Sequence, residues 1–225
     1  HYRLLQKIDL APKDSVAQGS MGDTLDTPYE DGGPPRIFCG IYTMESNTKA
    51  GGNARLTRDA WAKRCTGFVA FSNHIDNSFP TTKIDHDGPE EYNNMWQKSR
   101  EIWKYIYRNY RDEFDFFVLG GDDMFYIVEN LGRYLSRPEI RNKVADKDGV
   151  FLGRRFYPGN NVVFNSGGAG YTIDANTLEL LYNQLDKSVC FAHQHTFAED
   201  VNIARCLRYA NVNPHDTRDP AKAER

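Results

Sequence analysis

The chain has 225 residues, 40% of them apolar and 13% aromatic, with a formal net charge of -3. That length holds one large domain with a sizeable core or two small ones, and the composition is globular, not disordered. The slightly negative charge and scattered basic residues leave no electrostatic footprint for nucleic acid, and no run of about 18 apolar residues offers a membrane span.

The chain begins with His1 and not Met, as a fragment of a longer precursor would, with any signal peptide or anchor upstream. Residues 1–35 are polar and punctuated by Gly19, Gly22, Pro28, Gly32, Gly33, Pro34 and Pro35. They read as a stem or linker, and 36–225 as the folded domain. Arg36 to Thr43 reads as a first strand, 47–52 as a loop, and Leu56 to Arg64 as a short helix with Leu56, Ala60 and Trp61 on one face. Phe68 to Phe71 reads as the next strand. Strand, helix, strand is the start of a βαβ unit and implies an α/β fold with a mainly parallel sheet.

Residues 73–88 read as a polar loop. Pro89 is placed to open a long helix to about Tyr110. Its stripe of Trp96, Trp103, Ile106, Tyr107 and Tyr110 recurs at spacings of three, four and seven, which is a core face. Phe114 to Leu119 is a near-continuous apolar run, as in a strand buried on both faces. It ends in Gly120, Gly121, Asp122 and Asp123, and a helical pattern of Ile127, Val128, Leu131 and Leu135 follows. A buried strand that delivers two acids to its carboxyl end places them where open α/β sheets bind ligands. Two adjacent carboxylates suit a hard divalent cation and a phosphorylated substrate; Gly and Asp are also ordinary turn residues.

Val150 to Phe156 reads as a further strand. Three glycines within 167–170 suit a backbone that turns at positive φ or approaches another group closely. No Lys-Ser/Thr follows them, so the P-loop pattern fails. Asp174 is placed to cap a helix from Ala175 to about Leu185. A last helix begins at Glu199 and Asp200, with Val201, Ala204 and Leu207 inward. Acids in a first helical turn are often only partners of the helix dipole. Cys39, Cys65, Cys190 and Cys206 form no CxxC pair, which argues against a zinc knuckle or a thioredoxin-type site. Their even number fits two disulfides in a secretory compartment and equally four buried thiols. Of three possible pairings, nearness along the chain gives Cys39–Cys65 with Cys190–Cys206.

Several segments then occur in a familiar order: LTRDAWAKRC at Leu56–Cys65, Lys98-Ser99, GGDD at Gly120–Asp123 before YIVENL, GRRF at Gly153–Phe156, SGGAGY at Ser166–Tyr171, AED at Ala198–Asp200 with Arg205-Cys206, and DTRD at Asp216–Asp219. From about Arg36 to Asp219 the chain resembles the fringe-like inverting β1,3-glycosyltransferases, nearest to their galactosyltransferase branch. GRRF, SGGAGY and the cysteine placement are the specific parts.

The resemblance implies a GT-A fold, with a Rossmann-like sheet flanked by helices. It implies a UDP-sugar donor, UDP-galactose first, and a glycoprotein or glycopeptide acceptor carrying N-acetylgalactosamine on Ser or Thr. Asp123 would ligate Mn2+, with Asp122 beside it near the ribose or donor sugar. Thr43, Arg58, Lys98, Asp122, Ser166, Gly167 and Gly168 would bind the donor, the glycines where any side chain would collide with it. Asp200 would be the general base, and Glu199 and Gly168 would meet the acceptor sugar. The disulfides would be Cys39–Cys65 and Cys190–Cys206. The setting would be the Golgi lumen, as a type II membrane protein anchored upstream of this fragment, with homodimers possible within the family. Two departures stand out. The family's first motif Asp is Gly121 here, and a family metal-binding His expected beyond Asp219 is not reached before Arg225; His215 lies ahead of that segment. Alternatives are a fringe-type transfer of N-acetylglucosamine to O-linked fucose, a non-catalytic chaperone-like relative, and a lectin-like module.

Overall fold

A computed structural model describes residues 33–159 and 162–218. Most of the proposed stem, the end of DTRD at Asp219 and the charged tail lie outside the described residues. Six strands form one sheet in the order β3-β2-β1-β4-β8-β5. β1 (Ile37–Tyr42) is central in sequence logic and pairs in parallel with β2 (Gly67–Ser72) and β4 (Phe116–Gly121). β3 (Thr81–Lys83) extends the parallel set at the β2 edge. β8 (Tyr171–Asp174) runs antiparallel to β4, and β5 (Phe151–Gly153) antiparallel to β8. The mainly parallel sheet expected from the sequence is therefore present, with one reversed strand inside it.

Every residue of β4 is buried, as its unbroken apolar run requires. One core layer lies under α3 (Met95–Tyr110), where Trp96, Trp103 and Ile106 are fully buried with Phe38, Phe71 and Phe117. The other packs Cys39, Ile41, Trp61 and Val118 beneath α2 (Asn53–Ala60) and α4 (Val128–Leu135). The aromatic stripe of α3 is thus core, with Tyr107 half-buried against the ring of Tyr182 at 4.0 Å. α6 (Ala175–Tyr182) starts at Asp174, whose carboxylate accepts from the Thr177 amide at 3.1 Å, as a capping aspartate should. Both disulfides, Cys39–Cys65 and Cys190–Cys206, are formed.

Several boundaries differ from the sequence expectation. The loop at 47–52 is entered through a one-turn helix, α1 (Glu45–Thr48). α2 buries Ala54 and Thr57, and Leu56 and Ala60 face solvent, because Thr57 and the following Trp61 are the side chains drawn onto the β4 end. Pro89 does not start α3: its carbonyl closes a turn with Glu91 and the Asn94 side chain, and the helix begins only after a 3-10 turn at Tyr92–Asn94. The strand expected over 150–156 breaks at Arg154. There β6 (Arg155–Phe156) leaves the main sheet to pair with β7 (Phe164–Asn165). β3, β8 and α5 (Pro138–Ala145) were not foreseen; β3 and β8 are too short for a clear alternating pattern. Ile127 is exposed ahead of α4, and in α7 (Glu199–Tyr209) Ile203 takes the buried place expected of Val201.

Candidate active site

Four pieces of backbone converge at the carboxyl ends of β1 and β4: the β1 end at Tyr42 and Thr43, the β4 end at Asp122 and Asp123, the turn Ser166–Gly170, and the start of α7. Parallel strands place their carboxyl ends together, so the topology itself makes this cleft. Asp122 is anchored. One oxygen of its carboxylate accepts from the Thr43 hydroxyl at 2.5 Å and from the Asn47 side-chain amide at 2.8 Å, and the Thr57 hydroxyl donates to its backbone carbonyl. Asp123 is exposed, with its carboxylate beside Gly121. A Cβ on Gly121 would lie 2.7 Å from Asp123 Oδ1. Glycine there leaves that carboxylate room which a side chain would take.

The second acidic pair sits across Tyr42. Glu199 is only 3% exposed and accepts from the Tyr171 hydroxyl at 2.9 Å; that hydroxyl in turn accepts from the Trp103 indole at 3.2 Å. Burial, then the neighbouring charge of Asp200, pushes the Glu199 carboxyl up to about 8, so at neutral pH it mostly carries a proton. Asp200 is half-buried, with each oxygen on a backbone amide: Gly167 at 2.9 Å and Val201 at 2.8 Å. Tyr42 feels both pairs. Burial first, then Glu199, Asp200 and Asp123, holds its phenol well above the usual tyrosine range.

The glycine turn is explained partly by the protein itself. A Cβ on Gly167 would drive into the Glu199 carboxylate, so that glycine is needed for protein packing; Gly168, by contrast, is exposed and its nearest neighbour would be Ser166 Oγ at 3.9 Å. The expected collision at Gly168 is thus not with the protein. Ser166 is half-buried and its amide donates to the Arg154 carbonyl at 2.8 Å.

Lys98 is buried, not an exposed charge. Its ammonium donates to the Thr43 carbonyl at 2.6 Å and pairs with Glu90, whose other oxygen meets His86 Nε2 at 2.8 Å. Burial pulls the Lys98 amine below the usual lysine range, with Glu90 and Asp122 acting in the opposite sense. Arg58 is not gathered into the cleft: its guanidinium pairs with Asp59 and lies 5.2 Å from the Phe79 ring centre. Trp61 is fully buried, its indole donating to the Met124 carbonyl at 3.0 Å.

Among the described residues no group of three or more His, Cys, Asp or Glu side chains could hold a metal ion by itself. Asp122 and Asp123 supply two carboxylates, one of them partly committed. Tyr42, Asn47, Glu90 and Tyr171 are not among the site residues expected from the sequence; Tyr42 had a signal as the strand-end neighbour of Thr43, and Tyr171 as the last residue of SGGAGY.

No family model matches the chain. Over 223 residues, 99% of its length, it is 26% identical to glycoprotein-N-acetylgalactosamine 3-beta-galactosyltransferase 1 of Xenopus laevis. The chain is similar to a glycosyltransferase from end to end. It spans 58% of that relative's length. Over 77% of the chain it is 25% identical to chondroitin sulfate synthase 3 of Homo sapiens and 23% identical to that of Mus musculus, covering 21% of each. These glycosyltransferase relatives and the six-stranded α/β sheet agree on a GT-A architecture. Within it the GRRF and DTRD segments meet, with Arg155 pairing to Asp216 at 2.7 Å.

Proposed function

We propose that this chain is the catalytic part of an inverting glycosyltransferase that moves galactose from UDP-galactose to the 3-hydroxyl of O-linked N-acetylgalactosamine. The observation that carries the proposal is that Tyr42 lies between two acidic pairs: its ring is against Gly121, beside Asp123 at the end of β4, and its hydroxyl is against Gly167, beside Glu199 at the start of α7. A donor diphosphate belongs at the first and an acceptor hydroxyl at the second. Cations that share substrate phosphates need only one or two protein carboxylates, so Asp123, with Asp122 steadying it, fits a divalent ion such as Mn2+. When bound, that ion neutralises charge on the departing diphosphate.

Asp200 is the general base of the proposal. It takes the proton from the acceptor hydroxyl as that oxygen bonds to the anomeric carbon. The bond from the same carbon to the UDP oxygen breaks on the opposite face, and the anomeric centre inverts in one displacement. The amides of Gly167 and Val201 fix the carboxylate's direction without using all its lone pairs. Glu199, protonated in its buried site, lies against the 166–170 turn, and its contact with the acceptor sugar is proposed from the family resemblance. Ser166 and Gly168 face the donor sugar in this reading.

Two disulfides suit an oxidising compartment, and the Golgi lumen with an anchor upstream is the setting we propose. No helix among the described residues is long and apolar enough to cross a membrane. Calorimetric titration of UDP with and without Mn2+, followed by transfer from UDP-galactose to an N-acetylgalactosaminyl-threonine peptide, tests the whole reading. Metal-dependent binding with a β1,3-linked product is expected; binding without any transfer would remove the enzymatic claim, and transfer only from UDP-N-acetylglucosamine would turn the reading to the fringe type.

A further inference from the structure

Lys98, Glu90 and His86 form a chain that the chemistry above does not use, with the Lys98 and His86 side chains buried and Glu90 between them partly exposed. Their side chains are 4%, 26% and 5% exposed. Lys98 reaches the backbone carbonyl of Thr43, the residue whose hydroxyl holds Asp122. An ammonium has three donors. Two are engaged here, on Thr43 and Glu90, and the charge of Asp122 acts on the same group. A cation buried beside an acidic pair has an obvious alternative partner, since a buried charge deprived of its counter-ion seeks another. If Lys98 turned to Asp122, it would compete with a divalent ion for that end of the strand.

We infer that Glu90, itself braced by His86, is the counter-charge that keeps Lys98 off the Asp122–Asp123 pair and so leaves those carboxylates available to a divalent cation. Lys98 is then a positioning residue that holds the Thr43 backbone, not a ligand of the donor phosphates. This rests on the proposed donor site and adds to it a determinant outside the cleft lining.

The test is the Kd of UDP at saturating Mn2+, read by calorimetry on the wild-type chain, Glu90→Gln, Lys98→Met and the double variant. Glu90→Gln is expected to weaken binding at least about tenfold, the scale of removing a residue that orients metal ligands. Lys98→Met, which loses its hold on the Thr43 carbonyl, is expected to weaken binding by less than about tenfold, and the double variant to return to the Lys98→Met value. Unchanged binding in Glu90→Gln, or a double variant as weak as Glu90→Gln alone, overturns the inference. So does a tenfold loss in Lys98→Met, which would make Lys98 a donor ligand; that single variant decides the matter if Glu90→Gln does not fold. Wild-type chain that binds no UDP in Mn2+ defeats the proposed function itself, and is seen before any variant is made.

Discussion

The two acidic pairs make an instructive contrast. At the end of β4 the anchored member, Asp122, is held by side chains from Thr43, just after β1, and from Asn47 of α1, and its partner Asp123 is left in solvent. At the start of α7 the anchored member, Glu199, is buried against Tyr171, and its partner Asp200 is held by backbone amides. In both pairs adjacent carboxylates are divided by environment, and in the proposed reaction one is a support and the other the reactive group. The division differs in kind: a cation ligand has to remain hydrated and adjustable, whereas a base must point in one direction.

The sharpest way to break that contrast is Asp200→Asn. Turnover should fall at least about 100-fold, the lower end for general-base catalysis, with UDP affinity unchanged. Single-turnover transfer assays check this, and retained turnover would remove Asp200 as the base. Next, Asp123→Ala is expected to abolish metal-dependent UDP binding. Asp122→Asn should cost only about tenfold, as loss of a group that orients a ligand does; equal losses in calorimetry would erase the division drawn between the two.

Glu199 gives a prediction in pH. Its folded pKa of about 8 stands above the ordinary carboxylate value of 4.5, so the folded state holds a proton that the unfolded chain releases. Its contribution to stability is therefore complete below about 4.5 and is lost as pH rises through about 8. Glu199→Gln should flatten this fall, measured as urea midpoints across that window; an unchanged slope would mean Glu199 is ionised in the folded protein. Gly167→Ala should cost about 1–3 kcal/mol by overpacking against Glu199 and lower turnover by displacing the amide that holds Asp200. Smallest of all, Arg58→Ala should alter UDP affinity less than about threefold, in keeping with a surface change of about 0.5 kcal/mol.

Much of this was legible in the chain. The apolar run into Asp122 and Asp123 announced a buried strand with two acids after its carboxyl end, because burial on both faces leaves an unmistakable composition. The α3 stripe and the Asp174 cap were equally plain. What stayed hidden was set by distant partners. Nothing local shows that Lys98 meets Glu90 and Thr43, or that Gly167 is glycine because Glu199 lies against it. β8 was hidden for a related reason: four residues carry too little pattern, and its reversed direction is decided by its pairing with β4. Nothing local shows that Arg58 pairs with Asp59 and lies over Phe79, because the phase of a helix turn decides which way that side chain faces.

The reversed strand has a consequence for how the chain is made. β1, β2, β3 and β4 lie in the first part of the sequence and complete a parallel sheet among themselves. β4 then presents one open hydrogen-bonding edge, rich in Phe, Val and Leu, until β8 emerges about 50 residues later. Such an edge is a template for joining another chain. A truncated product ending before Tyr171 should therefore self-associate through the β4 edge that β8 otherwise covers.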